Sequence, residues 1–110
     1  VTVERELSEQ QLSLLYDRAR DIQADFERFH AANPEVYRLL VKFTRQVRDA
    51  GREQYSIDSI FHRLRWHYHI ELRTEEPFKL NNNFTSRYAR LIMAQEADLD
   101  GIFEVRVLRA

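Results

Sequence analysis

At 110 residues the chain has the usual size of one domain, and it is long enough to bury a hydrophobic core without disulfides or a structural metal. It contains no cysteine, which excludes disulfides, thiol nucleophiles and thiolate metal sites. With no apolar run of bilayer length, and no basic-then-apolar leader in the first ten residues, it reads as a cytoplasmic protein without a membrane role. The net charge of -1 conceals a block pattern: residues 1–35 carry 4 Arg/Lys against 8 Asp/Glu, residues 36–90 carry 11 against 6, and residues 91–110 carry 2 against 4. A basic middle between acidic ends can steer a polyanion, because the local field rather than the net charge acts on a partner.

In chain order, Ser8-Glu9-Gln10-Gln11 fits a capping box and opens a first helix. Leu12, Leu15, Ala19, Ile22, Phe26 and Phe29 then alternate at spacings of three and four, which puts them on one face. The pattern is too short for a sustained coiled coil, so it predicts packing within the domain. Asn33-Pro34-Glu35 is a second start, with the asparagine read as the cap and the proline at the first helical position. That helix carries Val36, Leu39, Leu40, Phe43 and Val47 inward and ends at Gly51; Lys42, Arg45, Arg48 and Arg52 project from the rest of its surface.

A third helix is expected from Ser56 with Ile57, Ile60, Phe61, Leu64 and Tyr68 buried. Trp66 to Leu72 also alternates as a strand would, but the longer helical pattern favours helix to about residue 70. Thr74-Glu75-Glu76-Pro77 breaks it. Phe78-Lys79-Leu80 reads as extended, Asn81 to Asn83 as turn and cap, and Phe84, Tyr88, Leu91 and Ile92 as a fourth helix. After a turn at 98–101, Phe103, Val105 and Val107 alternate as a C-terminal strand that could pair with residues 78–80. The expected fold is therefore mostly α: one domain over 1–110, a compact bundle of about four helices with a short C-terminal strand or ribbon. It invites comparison with a distorted winged helix, although the break from Arg73 to Asn82 is longer than a helix-turn-helix allows.

Nucleic-acid chemistry is concentrated in the segment from Lys79 to Arg90. Asn pairs bidentately with adenine and Arg with guanine, while Lys and a helix N-terminus suit phosphate. The candidate nucleic-acid contacts are Lys79, Asn81, Asn82, Asn83, Arg87 and Arg90, aided by Arg63 and Arg65. Capping asparagines and solvated arginines account for the same residues without a ligand. His62, His67, His69 and Glu71 raise a metal question only if 66–72 is a strand, so no metal site is assigned. With only two glycines a phosphate-cradling loop is excluded, and no catalytic signature stands out; neither a catalytic residue nor a cofactor is assigned.

Two blocks, Phe29-His30-Ala31-Ala32-Asn33-Pro34-Glu35-Val36-Tyr37 and Phe78-Lys79-Leu80-Asn81-Asn82-Asn83 with Ser86-Arg87-Tyr88-Ala89-Arg90-Leu91-Ile92, resemble a group of small uncharacterised proteins of phages, prophages and bacterial genomes. The resemblance spans residue 26 to Phe103 and implies a context, not an activity: small proteins of that setting often bind DNA or inhibit host enzymes. The leading expectation is thus a non-enzymatic nucleic-acid-binding protein, with DNA ahead of RNA. The alternative is a protein-interaction module or phage-encoded inhibitor, self-associating through the helix at 8–32. The first reading requires residues 38–52 and 79–90 to form one continuous positive face.

Overall fold

The computed structural model describes residues 8–76 and 78–104. Four α-helices run α1 Glu9–Ala32, α2 Pro34–Asp49, α3 Ile57–Trp66 and α4 Thr85–Gln95. A π-helical turn, His67–Glu71, continues α3; 3-10 turns occupy Asn82–Phe84 and Ala97–Leu99. No helix among the described residues is long and apolar enough to cross a membrane.

The start of α1 is set by the sequence. The Ser8 hydroxyl accepts from the Gln11 amide at 3.1 Å while the Gln11 side chain accepts from the Ser8 amide at 2.8 Å, and two otherwise unpaired donors are satisfied. At the α1–α2 junction the roles differ from expectation. Asn33 makes no side-chain bond to the first turn of α2; its Nδ2 and its amide both donate back to the Phe29 carbonyl, at 3.0 and 2.9 Å. Asn33 therefore closes α1, and Pro34 at the first turn of α2, where an amide hydrogen is not needed, starts the next helix. Gly51, at φ +95°, supplies the left-handed residue after α2.

The core joins all four helices: Phe26 from α1, Val36, Leu40, Val41 and Phe43 from α2, Ile60, Phe61 and Leu64 from α3, and Tyr88, Ala89 and Ile92 from α4. Burying each large apolar side chain is worth about 1.5–3 kcal/mol, so this face-to-face packing rather than helix propensity holds the bundle. Tyr88 is the aromatic hub, with ring centroids 4.8 Å from Phe26 and 6.1 Å from Phe61, both edge-on. The contribution of α1 is uneven. Ile22, Phe26 and Phe29 join or abut the core, whereas no apolar residue between Glu9 and Asp21 packs against it.

The expected C-terminal strand and the winged-helix comparison are not supported. No strand occurs among the described residues, and Phe78 to Leu80 is irregular with Leu80 buried. Ile102 and Phe103 are consecutive and both buried, which an alternating half-exposed strand does not allow. Their packing, and the bond from the Tyr55 amide to the Ile102 carbonyl at 2.9 Å, dock this segment on the bundle instead. The remainder of the expected strand, Val105 onward, lies outside the described residues.

Trp66 to Leu72 is helical rather than extended. The α-helix widens into the π turn, with the Leu72 amide bonded to the His67 carbonyl at 2.9 Å. The turn ends at Arg73, a non-glycine residue at φ +53°; beyond it the Thr74 amide and hydroxyl both donate to the Tyr68 carbonyl at 3.1 Å.

Candidate functional site

The asparagine-arginine segment is built largely as an internal clamp. The Asn81 side chain accepts from the Asn83 amide at 2.9 Å and caps the 3-10 turn. Arg65, half-buried on α3 with its guanidinium 5.8 Å from the centre of the Phe61 ring, donates to the Leu80 carbonyl at 3.0 Å and to the Asn82 side-chain oxygen. Arg87 spans two helices: Nε reaches Gln23 Oε1 at 2.9 Å, Nη2 reaches the Ala19 carbonyl at 3.2 Å, and Nη1 lies 3.4 Å from the Asn83 carbonyl. Burial, and secondly the nearby Arg90 charge, lower the Arg87 pKa. Lys79, Asn83 and Arg90 are exposed. The candidate residues are therefore neighbours, but Arg65, Asn82 and Arg87 are engaged by the protein itself.

Part of the basic middle is ion-paired within the protein. Arg45 grips Asp98 with two hydrogen bonds, at 2.9 and 3.1 Å, and Glu96 with one at 2.7 Å. Arg48 pairs with Asp49 and Asp98, and the Tyr37 hydroxyl donates to Glu96 at 2.8 Å. The Arg45 hydrogen bonds hold the Asp98 carboxyl at about 2. This network fastens the Ala97–Leu99 turn to α2. Within 38–52, then, Arg45 and Arg48 are occupied by acidic residues of the C-terminal third.

A different surface is left over at the end of α3. Trp66, Ile70 and Leu72 are 52%, 53% and 52% exposed, although large apolar side chains usually face inward. Arg63 bridges Trp66 to the core: its guanidinium sits 4.3 Å from the centre of the Phe43 ring and 5.3 Å from that of Trp66, within cation-π range. Its Nη1 also donates to Glu71 at 2.8 Å, and His67 Nδ1 lies 2.8 Å from the same carboxylate oxygen. These two partners, Arg63 first, hold the Glu71 pKa down.

Arg63 further lines a cleft of about 280 Å³ between α2 and α3, with Phe43, Val47, Ser59, Ile60 and the exposed Tyr55. The result is a surface running from Tyr55 over Arg63 to Trp66 and Ile70, apolar and aromatic, with one ion pair. Tyrosine, tryptophan and arginine are the residues that dominate binding hot spots.

The sequence held a signal for this surface that the expected site residues do not include. At about 100° per residue, Ile57, Ile60, Phe61, Leu64 and Tyr68 share one side of a helix, and Trp66 falls half a turn away. An apolar residue opposite the buried stripe is a candidate contact. Among the described residues no group of three His, Asp or Glu is placed to hold a metal ion; His67 faces Glu71 and packs edge-on against Phe43. The chain matches no family model, no curated protein and no solved structure.

Proposed function

We propose that the protein is a non-enzymatic interaction module that docks another polypeptide on the surface formed by Tyr55, Arg63, Trp66 and Ile70. The observation that carries this reading is Trp66, half exposed on the side of α3 opposite the core and stacked on an arginine already ordered by Phe43 and Glu71. Pre-ordering lowers the side-chain entropy lost on docking. Exposed Ile70, one turn further on, favours a protein partner over a nucleic acid, whose backbone needs cations more than aliphatic groups. The internal engagement of Arg65 and Arg87 weighs the same way.

Trp66 is the sole tryptophan, so its emission reports on this surface alone. Titrating a partner recovered with the wild-type protein should shift that emission to the blue, and a Trp66→Ala, Ile70→Asp variant of unchanged thermal stability should lose the partner. Equal recovery by wild type and variant would refute the assignment. The nucleic-acid reading retains exposed Lys79, Asn83 and Arg90. It is supported instead if DNA binds at low ionic strength with a steep salt dependence that Lys79→Ala and Arg90→Ala reduce.

A further inference from the structure

We infer that His67 is a charge switch for the docking surface. On gaining a proton it draws the Glu71 carboxylate away from Arg63, and a positive charge is left beside Trp66 for an acidic group of the partner. This rests on the reading of Tyr55, Arg63, Trp66 and Ile70 as a docking surface, and adds what regulates it. One oxygen carries the device. Glu71 Oε1 accepts from Arg63 Nη1 at 2.8 Å, and His67 Nδ1 lies 2.8 Å from the same oxygen. The Arg63 guanidinium in turn sits 5.3 Å from the centre of the Trp66 ring, so a change at Glu71 reaches the tryptophan through a single side chain.

With a neutral imidazole, Arg63 and Glu71 balance and the cluster carries no net charge. With an imidazolium, two cations share one carboxylate and the cluster carries one positive charge. The imidazolium's bond to Glu71 is then charge-assisted, about twice as strong as the neutral one, so it competes with Arg63 for the oxygen. His67 does not answer its new charge by turning into water: its side chain is 18% exposed and packs edge-on against Phe43, at 5.6 Å, and Tyr68, at 5.7 Å. Arg63 keeps its place, because the Phe43 ring lies 4.3 Å from its guanidinium whether or not Glu71 holds it.

Imidazole is the side-chain group that ordinarily changes charge between about pH 5 and 8. Glu71, by contrast, is held ionised by Arg63 first and His67 second. The ring neighbours of His67 stay neutral. From α2 it meets the phenyl ring of Phe43, and on its own turn it meets Tyr68, whose hydroxyl is pushed up by burial and secondly by the Glu35 charge. His62 and His69, four residues before Trp66 and three after it, are exposed and add charge changes of their own, with Asp58 in the same cleft as His62.

Because Trp66 is the sole tryptophan, its quenching reads the charge beside it in the full chain with no partner present. Quenching by iodide, taken relative to neutral acrylamide at constant ionic strength, should rise roughly twofold as pH falls from about 8 to about 5. The rise should persist in the His62→Gln, His69→Gln variant and be lost in His67→Gln. Glu71→Gln gives a check that does not depend on the His67 variant folding: with Arg63 unbalanced, the ratio should be high already at about pH 8. The inference is overturned by a wild-type ratio flat with pH, by a rise that survives His67→Gln or vanishes in the His62, His69 variant, or by a Glu71→Gln ratio equal to that of the wild type. The docking reading fails separately, by equal partner recovery with the Trp66→Ala, Ile70→Asp variant, a result that leaves the quenching unchanged.

Discussion

Arg87 of α4 donates through Nη2 to the main-chain carbonyl of Ala19 in α1, 3.2 Å away, and through Nε to Gln23 one turn later. A helix carbonyl already accepts from within its own helix, so this second donor uses its remaining lone pair and marks where α1 joins the bundle. Toward the N-terminus of that point α1 is exposed on most sides; beyond it the Ile22, Phe26 and Phe29 face is covered.

Removing that bond should loosen the junction before it unfolds the protein. Arg87→Ala is expected to cost on the order of 1 kcal/mol, since the guanidinium is only half-buried and part of its hydrogen bonding is regained by water. Amide exchange should accelerate at Ala19 to Gln23 more than in α2. Uniform acceleration across all helices would show that Arg87 acts on the whole core instead.

Two tyrosine hydroxyls should respond in opposite ways. The Tyr37 hydroxyl donates to Glu96 at 2.8 Å, whereas the Tyr88 hydroxyl is buried without a hydrogen-bond partner. Burial of the ring, and secondly the charge of Glu35, raise the Tyr88 pKa and keep it neutral. Tyr37→Phe should therefore lose about 1 kcal/mol, and Tyr88→Phe should be neutral or slightly stabilising, because it removes an unsatisfied polar atom. Urea unfolding of the pair measures the contrast; a larger loss for Tyr88→Phe would reveal a partner for its hydroxyl.

Acid should release the clamp between α2 and the Ala97–Leu99 turn. The Arg45 hydrogen bonds lower the Asp98 pKa from 3.8 to about 2. Because the folded value lies below the unfolded one, the stabilisation is fully present above about pH 4 and is lost as pH falls toward 2. The difference in Tm between wild type and Asp98→Asn should be constant near neutrality and close between pH 4 and 2. A gap that persists unchanged at pH 2 would show that the carboxylate charge is not what holds the turn.

Arg73 occupies the left-handed region at φ +53°, a conformation that costs most residues about 1–2 kcal/mol and glycine little. Arg73→Gly should stabilise the protein, by on the order of 0.5–1 kcal/mol once the added freedom of the unfolded chain is offset. Thermal unfolding of Arg73→Gly beside Arg73→Ala separates the causes: the alanine variant keeps the strained backbone and should not gain.

What is periodic or local was legible in the sequence. The capping box at Ser8, the proline start of α2, the glycine after it and the buried faces of the four helices follow from spacing and terminal chemistry, which act over a few residues. Asn33 was readable as a cap but not as which helix it would serve, since its amide could turn toward either end and only the placed Phe29 carbonyl decides.

The site was less legible, because charge assignment is a long-range matter. Arg45 and Asp98 are 53 positions apart and Arg87 and Ala19 are 68 apart, so composition alone could count the cations of the middle segment without showing what neutralises them. The alternation of Phe103, Val105 and Val107 suggested a strand, and burial of the consecutive Ile102 and Phe103 against the bundle departs from it where the described residues begin that segment. By itself the sequence determined an α-helical chain with amphipathic faces. Tertiary structure decided which apolar residues remain outside, because a helix face is buried or left open only by the elements that pack against it: α3 turns Trp66 away from the core, and α1 extends its stripe past the bundle.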